Sequence, residues 1–129
     1  MEHTAKKRFG QHFLTSARII ERIIDNSLPE EGDAIVEIGP GQGAITGNIL
    51  KKHQNPFTAI ELDRDLIPIL KGRFGSSEHF SIIESDVLKV NFADCTRNRE
   101  MLTIIGNLPY NVGSIIILKM AEERSVIRK

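Results

Sequence analysis

Residues 34–46 read AIVEIGPGQGAIT, and the parsing of this stretch decides the fold. Ala34 to Ile38 is a short apolar run of the kind that forms a buried strand. Gly39 to Gly43 is a tight loop, stiffened by Pro40. From Ala44 to about His53, Ile45, Ile49 and Leu50 recur at helical spacing. Glycines in such a loop let the backbone take positive φ angles and come close to a ligand. The helix that follows points its free N–H groups at the same place. A strand, a Gly-rich turn and a helix together form a nucleoside-binding device. Gly39-x-Gly41-x-x-Ala44 also satisfies the dinucleotide fingerprint, so a nicotinamide cofactor stays open here, as does a plain tight turn.

The rest of the chain repeats this rhythm. Thr15 to about Leu28 is expected to be a helix, with Ile19, Ile20, Ile23, Ile24 and Leu28 on one face and Thr15 or Ser16 as cap. Phe57–Glu61 is the second expected strand. Asp63 is expected to cap a helix running to about Phe74, with Pro68 near its first turn. Phe80–Glu84 is the third strand, and Val90 to Arg99 an irregular excursion. Leu102 to Ile105 is the fourth strand, and Val112 to about Glu123 a final helix. Strands alternating with helices predict an α/β fold with parallel strands joined by crossover helices.

In an open parallel sheet, ligands bind at the carboxyl ends of the strands. Glu61 ends the second strand, 22 residues beyond Gly39, where an acid can accept from both hydroxyls of a ribose. Asp86 follows the third strand and can accept from the exocyclic amine of an adenine, with Val87 against the ring. Asp86 is equally suited to a turn. Asn107-Leu108-Pro109-Tyr110 follows the fourth strand. Amine methylation on a nucleobase needs such a group, because the amino lone pair is delocalised into the ring. The side-chain carbonyl of Asn107 and a backbone carbonyl held by Pro109 can both accept from that amine. Tyr110 can stack on a base turned into the pocket.

Bulk properties exclude little. The 129 residues suffice for one domain, and 17 basic residues balance 17 acidic ones. Lys6, Lys7, Arg8, Arg18 and Arg22 form a local basic excess near the start, which suits either a phosphate backbone or a solvated terminus. Cys95 is the one cysteine, so no internal disulfide forms, and it reads as structural. No signal-peptide core or membrane-length apolar run occurs, and the expectation is a cytoplasmic protein without a membrane or metal partner.

The chain resembles the small-subunit ribosomal RNA adenine dimethyltransferases. The likeness rests on KKRFGQHFL (6–14), VEIGPGQGAIT (36–46), AIELDRDL (59–66), ESDVL (84–88) and GNLPYN (106–111). It implies a Rossmann-like fold, S-adenosylmethionine as methyl donor, and dimethylation of two neighbouring adenines in small-subunit ribosomal RNA during ribosome biogenesis. It implies cofactor contacts from His12, Leu14, Gly39, Gly41, Glu61, Asp86, Val87 and Asn107. Asn107, Leu108, Pro109 and Tyr110 would form the target-adenine pocket, and Gln11 and Phe13 would help fold the N-terminal segment over the cofactor. His12 stands where the family more often has Asn. Residues 1–129 would be one cofactor-binding domain lacking the later strands and the helical C-terminal domain of the family. Three other readings stay open. They are a large-subunit adenine methylase of the macrolide-resistance type, an inactive fragment retaining a binding surface, and a nicotinamide-dependent oxidoreductase.

Overall fold

The computed structural model describes residues 30, 32–106 and 119–128. The helix expected from Thr15 and the greater part of that expected from Val112 lie outside the described residues. Strands β1 (Ala34–Ile38), β2 (Phe57–Glu61), β3 (Phe80–Glu84) and β4 (Leu102–Gly106) alternate with helices α1 (Ala44–Lys52) and α2 (Ile67–Phe74), and two 3₁₀ turns (Val87–Lys89 and Phe92–Cys95) precede β4. All pairings are parallel, in the order β3-β2-β1-β4.

That order is what positions a site. The chain lays β2 and β3 on one side of β1 and then crosses back to place β4 on the other. The carboxyl ends of β1 and β4 therefore lie at the point where the winding direction reverses, which is where an open α/β sheet forms its ligand crevice. Register fixes the level: Ile38 lies opposite both Ile60 and Gly106, and Glu61 lies opposite Glu84. The carboxyl ends of all the strands thus open onto one edge.

Every residue of β1 and β2 is buried, whereas the edge strand β3 is partly exposed. Successive side chains of a strand point to opposite faces, and β1 divides accordingly. Ala34, Val36 and Ile38 join Ile60, Phe92, Cys95 and Leu102 on one face. Ile35 joins Ile45, Ile49, Phe57 and Phe80 on the other. Covering both faces explains why β1, apart from Glu37, reads as an apolar run rather than an alternating one. Cys95 is buried in the first cluster, and burial pushes its thiol pKa up, consistent with a structural role.

The structure corrects one helix start. Asp63 does not cap α2; its side chain accepts from the Asp65 N–H at 2.9 Å within a turn, and Leu66 occupies the N-cap position. Pro68 is the reason. A proline ring clashes with the carbonyl four residues back, so the helix begins where Pro68 falls in its first turn. Strand β4 runs one residue further than expected, to Gly106.

A long-range pairing went unforeseen. Ile127 forms a parallel bridge with Leu102, and the Arg128 N–H donates to the Leu102 carbonyl at 2.7 Å. Arg128 then grips the buried Asp33 with two hydrogen bonds, Nε to Oδ2 at 2.6 Å and Nη2 to Oδ1 at 3.0 Å. Asp33 is 2% exposed, so loss of its partner leaves a carboxylate stranded away from water. Arg128→Met is expected to lower the melting temperature, and adding Asp33→Asn is expected to restore part of the loss. A double variant that melts below Arg128→Met would show that the pair is not coupled.

Candidate functional site

The loop after β1 is shaped by glycine at two places for different reasons. Gly41 has φ +61°, and a Cβ built on it meets no atom of the described residues within 4 Å. Among the described residues, only backbone geometry excludes a side chain at this point of the loop. Gly43 has φ +97°, and a Cβ there would lie 2.5 Å from Cε2 of Phe74. It is both a left-handed residue and a close-packing one. Gly43 is the N-cap of α1, and no side chain bonds to that helix start among the described residues. Its first-turn amides remain as donors near the loop.

Glu61 holds this loop. Its Oε1 accepts from the Gly41 N–H at 3.1 Å, and its Oε2 accepts from the Asp63 N–H at 3.0 Å. Glu61 is 7% exposed. Both oxygens are thus oriented by backbone donors while retaining lone pairs for a further ligand. The loop after β1 also ties to β2 through the Gly39 N–H, which donates to the Ile60 carbonyl at 2.9 Å. Gly39, Gly41 and Glu61 therefore meet at one edge, as the sequence reading expects.

Asp86 sits beyond β3, where its Oδ1 accepts from the Leu88 N–H at 3.0 Å and caps the short 3₁₀ turn. The turn role considered for it is real. Val87 is largely buried and packs in the apolar cluster with Ile38 and Ile60, leaving little of its surface for a ring. Gly106, the residue before Asn107, ends β4 opposite Ile38. Asn107, Leu108, Pro109, Tyr110, His12 and Leu14 lie outside the described residues. Among the described residues, no cluster of His, Cys, Asp and Glu side chains could hold a metal ion, and no helix is long and apolar enough to cross a membrane.

Sequence reasoning missed two residues here. Leu62, directly after Glu61, is 67% exposed. A large aliphatic side chain left in water at a ligand-binding edge can cover one face of a planar ring. Its signal was its place after a strand-ending acid. The second is Glu37, buried within β1 at 2% exposure. Its Oε1 accepts from the Thr46 hydroxyl at 2.5 Å, so the last part of β1 is stapled to the first turn of α1 across the glycine loop. The signal was an acid inside an otherwise apolar strand, which is costly to bury and demands a partner.

Burial pushes the Glu37 carboxyl from 4.5 up to about 7; the Thr46 hydroxyl pulls it down and the nearby Glu61 pushes it further up. Stability responds with a definite sign. Below about pH 4.5 the carboxyl is protonated in both folded and unfolded chains and costs nothing. Between 4.5 and 7 the unfolded chain ionises while the folded one keeps its proton, so stability falls as pH rises. Above about 7 the full penalty, about 3 kcal/mol, is present. Glu37→Gln, which keeps an acceptor for Thr46, is expected to be more stable near pH 8 and to flatten this slope. Denaturant melts from pH 4.5 to 8 check it, and an unchanged slope would contradict the assignment.

Known proteins bear on this geometry. The model of the family described as ribosomal RNA adenine dimethylase matches residues 2–129. The chain is 44% identical over 126 residues to a protein of Pseudomonas aeruginosa named ribosomal RNA small subunit methyltransferase A, covering 98% of this chain and 47% of that one. A protein of the same name from Marinobacter nauticus is also 44% identical over 126 residues, covering 98% and 45%. The chain thus spans about half the length of the curated relatives it matches. Among solved structures, a dimethyladenosine transferase from Plasmodium falciparum superposes with a TM-score of 0.69 at 24% identity, over 87% of this chain and 39% of that one. The 23S rRNA methyltransferase ErmE gives 0.72 at 21% identity, over 87% and 43%. An RNA methyltransferase from Salinibacter ruber, in complex with S-adenosyl-L-homocysteine, gives 0.67 at 17% identity, over 86% and 69%. At these identities the superpositions speak for the fold alone, a Rossmann-like methyltransferase fold. The sequence match speaks for more: this chain belongs to the ribosomal RNA adenine dimethylase family.

Proposed function

We propose that this chain carries the cofactor half of an enzyme that transfers methyl groups from S-adenosylmethionine to the amino groups of two adjacent adenines in small-subunit ribosomal RNA. The observation that carries this reading is the Glu61 carboxylate, oriented by the Gly41 and Asp63 amides beside a left-handed glycine loop. The small-subunit substrate is favoured by the names of the sequence relatives. The partner is then an immature small ribosomal subunit in the cytoplasm.

The residues present suit the cofactor. Glu61 would accept from the ribose hydroxyls with the lone pairs its backbone donors leave over. Leu62 would cover one face of the adenine ring, Val87 would reach it only at the small margin its packing leaves exposed, and Asp86 would accept from its amine. Gly39 and Gly41 would let the backbone approach, and His12, Leu14 and Asn107 would contact the remaining part. When bound, the sulfonium supplies an electrophilic methyl group. The chain supplies position and electrostatics. The Asn107 side-chain carbonyl and a backbone carbonyl before Pro109 would accept from the target amine and turn its lone pair out of the ring plane. Tyr110 would stack on the extruded base.

Calorimetric titration tests the cofactor half directly. The chain is expected to bind S-adenosylmethionine and not NAD. Glu61→Ala is expected to weaken that binding by roughly tenfold or more, the usual cost of losing hydrogen bonds to a charged group. NAD binding, or an S-adenosylmethionine affinity indifferent to Glu61→Ala, would contradict the proposal.

A further inference from the structure

Helices α1 and α2 carry charged side chains of a single sign. The two helices contain Lys51, Lys52, Lys71 and Arg73 and no acidic residue, in a chain whose formal net charge is zero. The acids nearest in sequence lie outside the helices, Asp65 just before α2 and Glu78 beyond its end. Between the helices runs a groove of about 340 Å³, lined by Gly47, Asn48, Lys51, Arg73, Phe74 and Ser77 among others. Lys51 and Arg73 are both exposed.

Arg73 is held ready rather than free. Its guanidinium lies 4.8 Å from the Phe74 ring centroid, and Nη1 donates to the carbonyl of Gln42 in the glycine loop. This fixes the plane of the group, leaves further N–H donors unused, and ties the groove to the candidate site. Cations in the last turn of a helix also offset its dipole, which accounts for where each pair sits along its own helix. The dipole does not account for cations of two different helices meeting at one groove, or for a guanidinium stacked on a ring at its wall.

We propose that this groove binds the phosphodiester backbone of the RNA substrate, with Lys51 and Arg73 as the phosphate contacts. The inference rests on the reading of the chain as part of an RNA methyltransferase. It adds a second surface to the strand-end site, one that positions RNA without reading its sequence. A planar guanidinium suits two phosphate oxygens, and a lysine serves as a point charge beside it. In a neutral protein, such a local patch supplies attraction that net charge does not.

The test is fluorescence anisotropy with a labelled RNA hairpin bearing two adjacent loop adenines, measured over a series of salt concentrations. Lys51→Gln and Arg73→Gln are compared with the unaltered chain and with Arg99→Gln, an exposed cation elsewhere. S-adenosylmethionine calorimetry is run on each. Each groove variant is expected to weaken RNA binding about three- to tenfold at low salt, whatever the loop sequence, and to reduce the salt slope by roughly one. Lys51→Gln is expected to leave S-adenosylmethionine affinity unchanged. Groove variants that behave like Arg99→Gln would overturn the groove while leaving the enzymatic reading intact. An unaltered chain that binds S-adenosylmethionine but no RNA would do the same. A chain that binds neither would overturn both.

Discussion

One carboxylate with two backbone donors organises the functional edge of this molecule. Glu61 accepts from Gly41 in the loop after β1 and from Asp63 in the loop after β2, so two loops share a single anchor. The anchor is available only because the register of the parallel sheet sets the end of β2 beside the end of β1. The conformation of the Gly-rich loop follows from it. With Gly41 drawn down to Glu61, the loop crest turns left-handed at Gly39, Gly41 and Gly43.

A second acid, Glu37, lies close by in a different setting. Glu61 meets backbone amides, whereas Glu37 meets one hydroxyl and is enclosed by the sheet and α1. Burial keeps Glu37 neutral up to about pH 7. The edge therefore keeps a neutral carboxyl beside Glu61 over most of the acidic range. The same contact staples β1 to α1, so the glycine loop is spanned from one side by Thr46 and held from the other by Glu61. Two acids thus divide the work: one fixes the base of the loop, and the other shapes its rim.

The strands were legible because each is a compact run bounded by glycine, proline or a charged cluster, and β1 to β3 fall where the apolar pattern places them. Helix α1 was legible for the same reason. The start of α2 was not, because capping chemistry at Asp63 and the steric demand of Pro68 compete and the proline prevails. Gly39, Gly41 and Glu61 were legible as neighbours at one sheet edge because their spacing along the chain reflects one strand–loop–helix–strand unit. Glu37 was hidden by its own strand, where an acid counts as noise in an apolar pattern until its partner nine residues on is seen. The Ile127–Leu102 bridge and the Arg128–Asp33 pair join segments far apart in sequence, and no local pattern announces such contacts.

The claim on which the rest turns is that the edge defined by Glu61 is the adenosine site. Amide chemical-shift mapping of the labelled chain during titration with S-adenosylhomocysteine tests it most directly. The predicted result is a set of perturbations confined to the loop from Gly39 to Ala44, the turn from Glu61 to Asp63, and Ser85 to Val87, together with the segments around His12 and Asn107. Perturbations centred instead on the groove between α1 and α2, with the Gly41 and Asp63 amides unmoved, would contradict it.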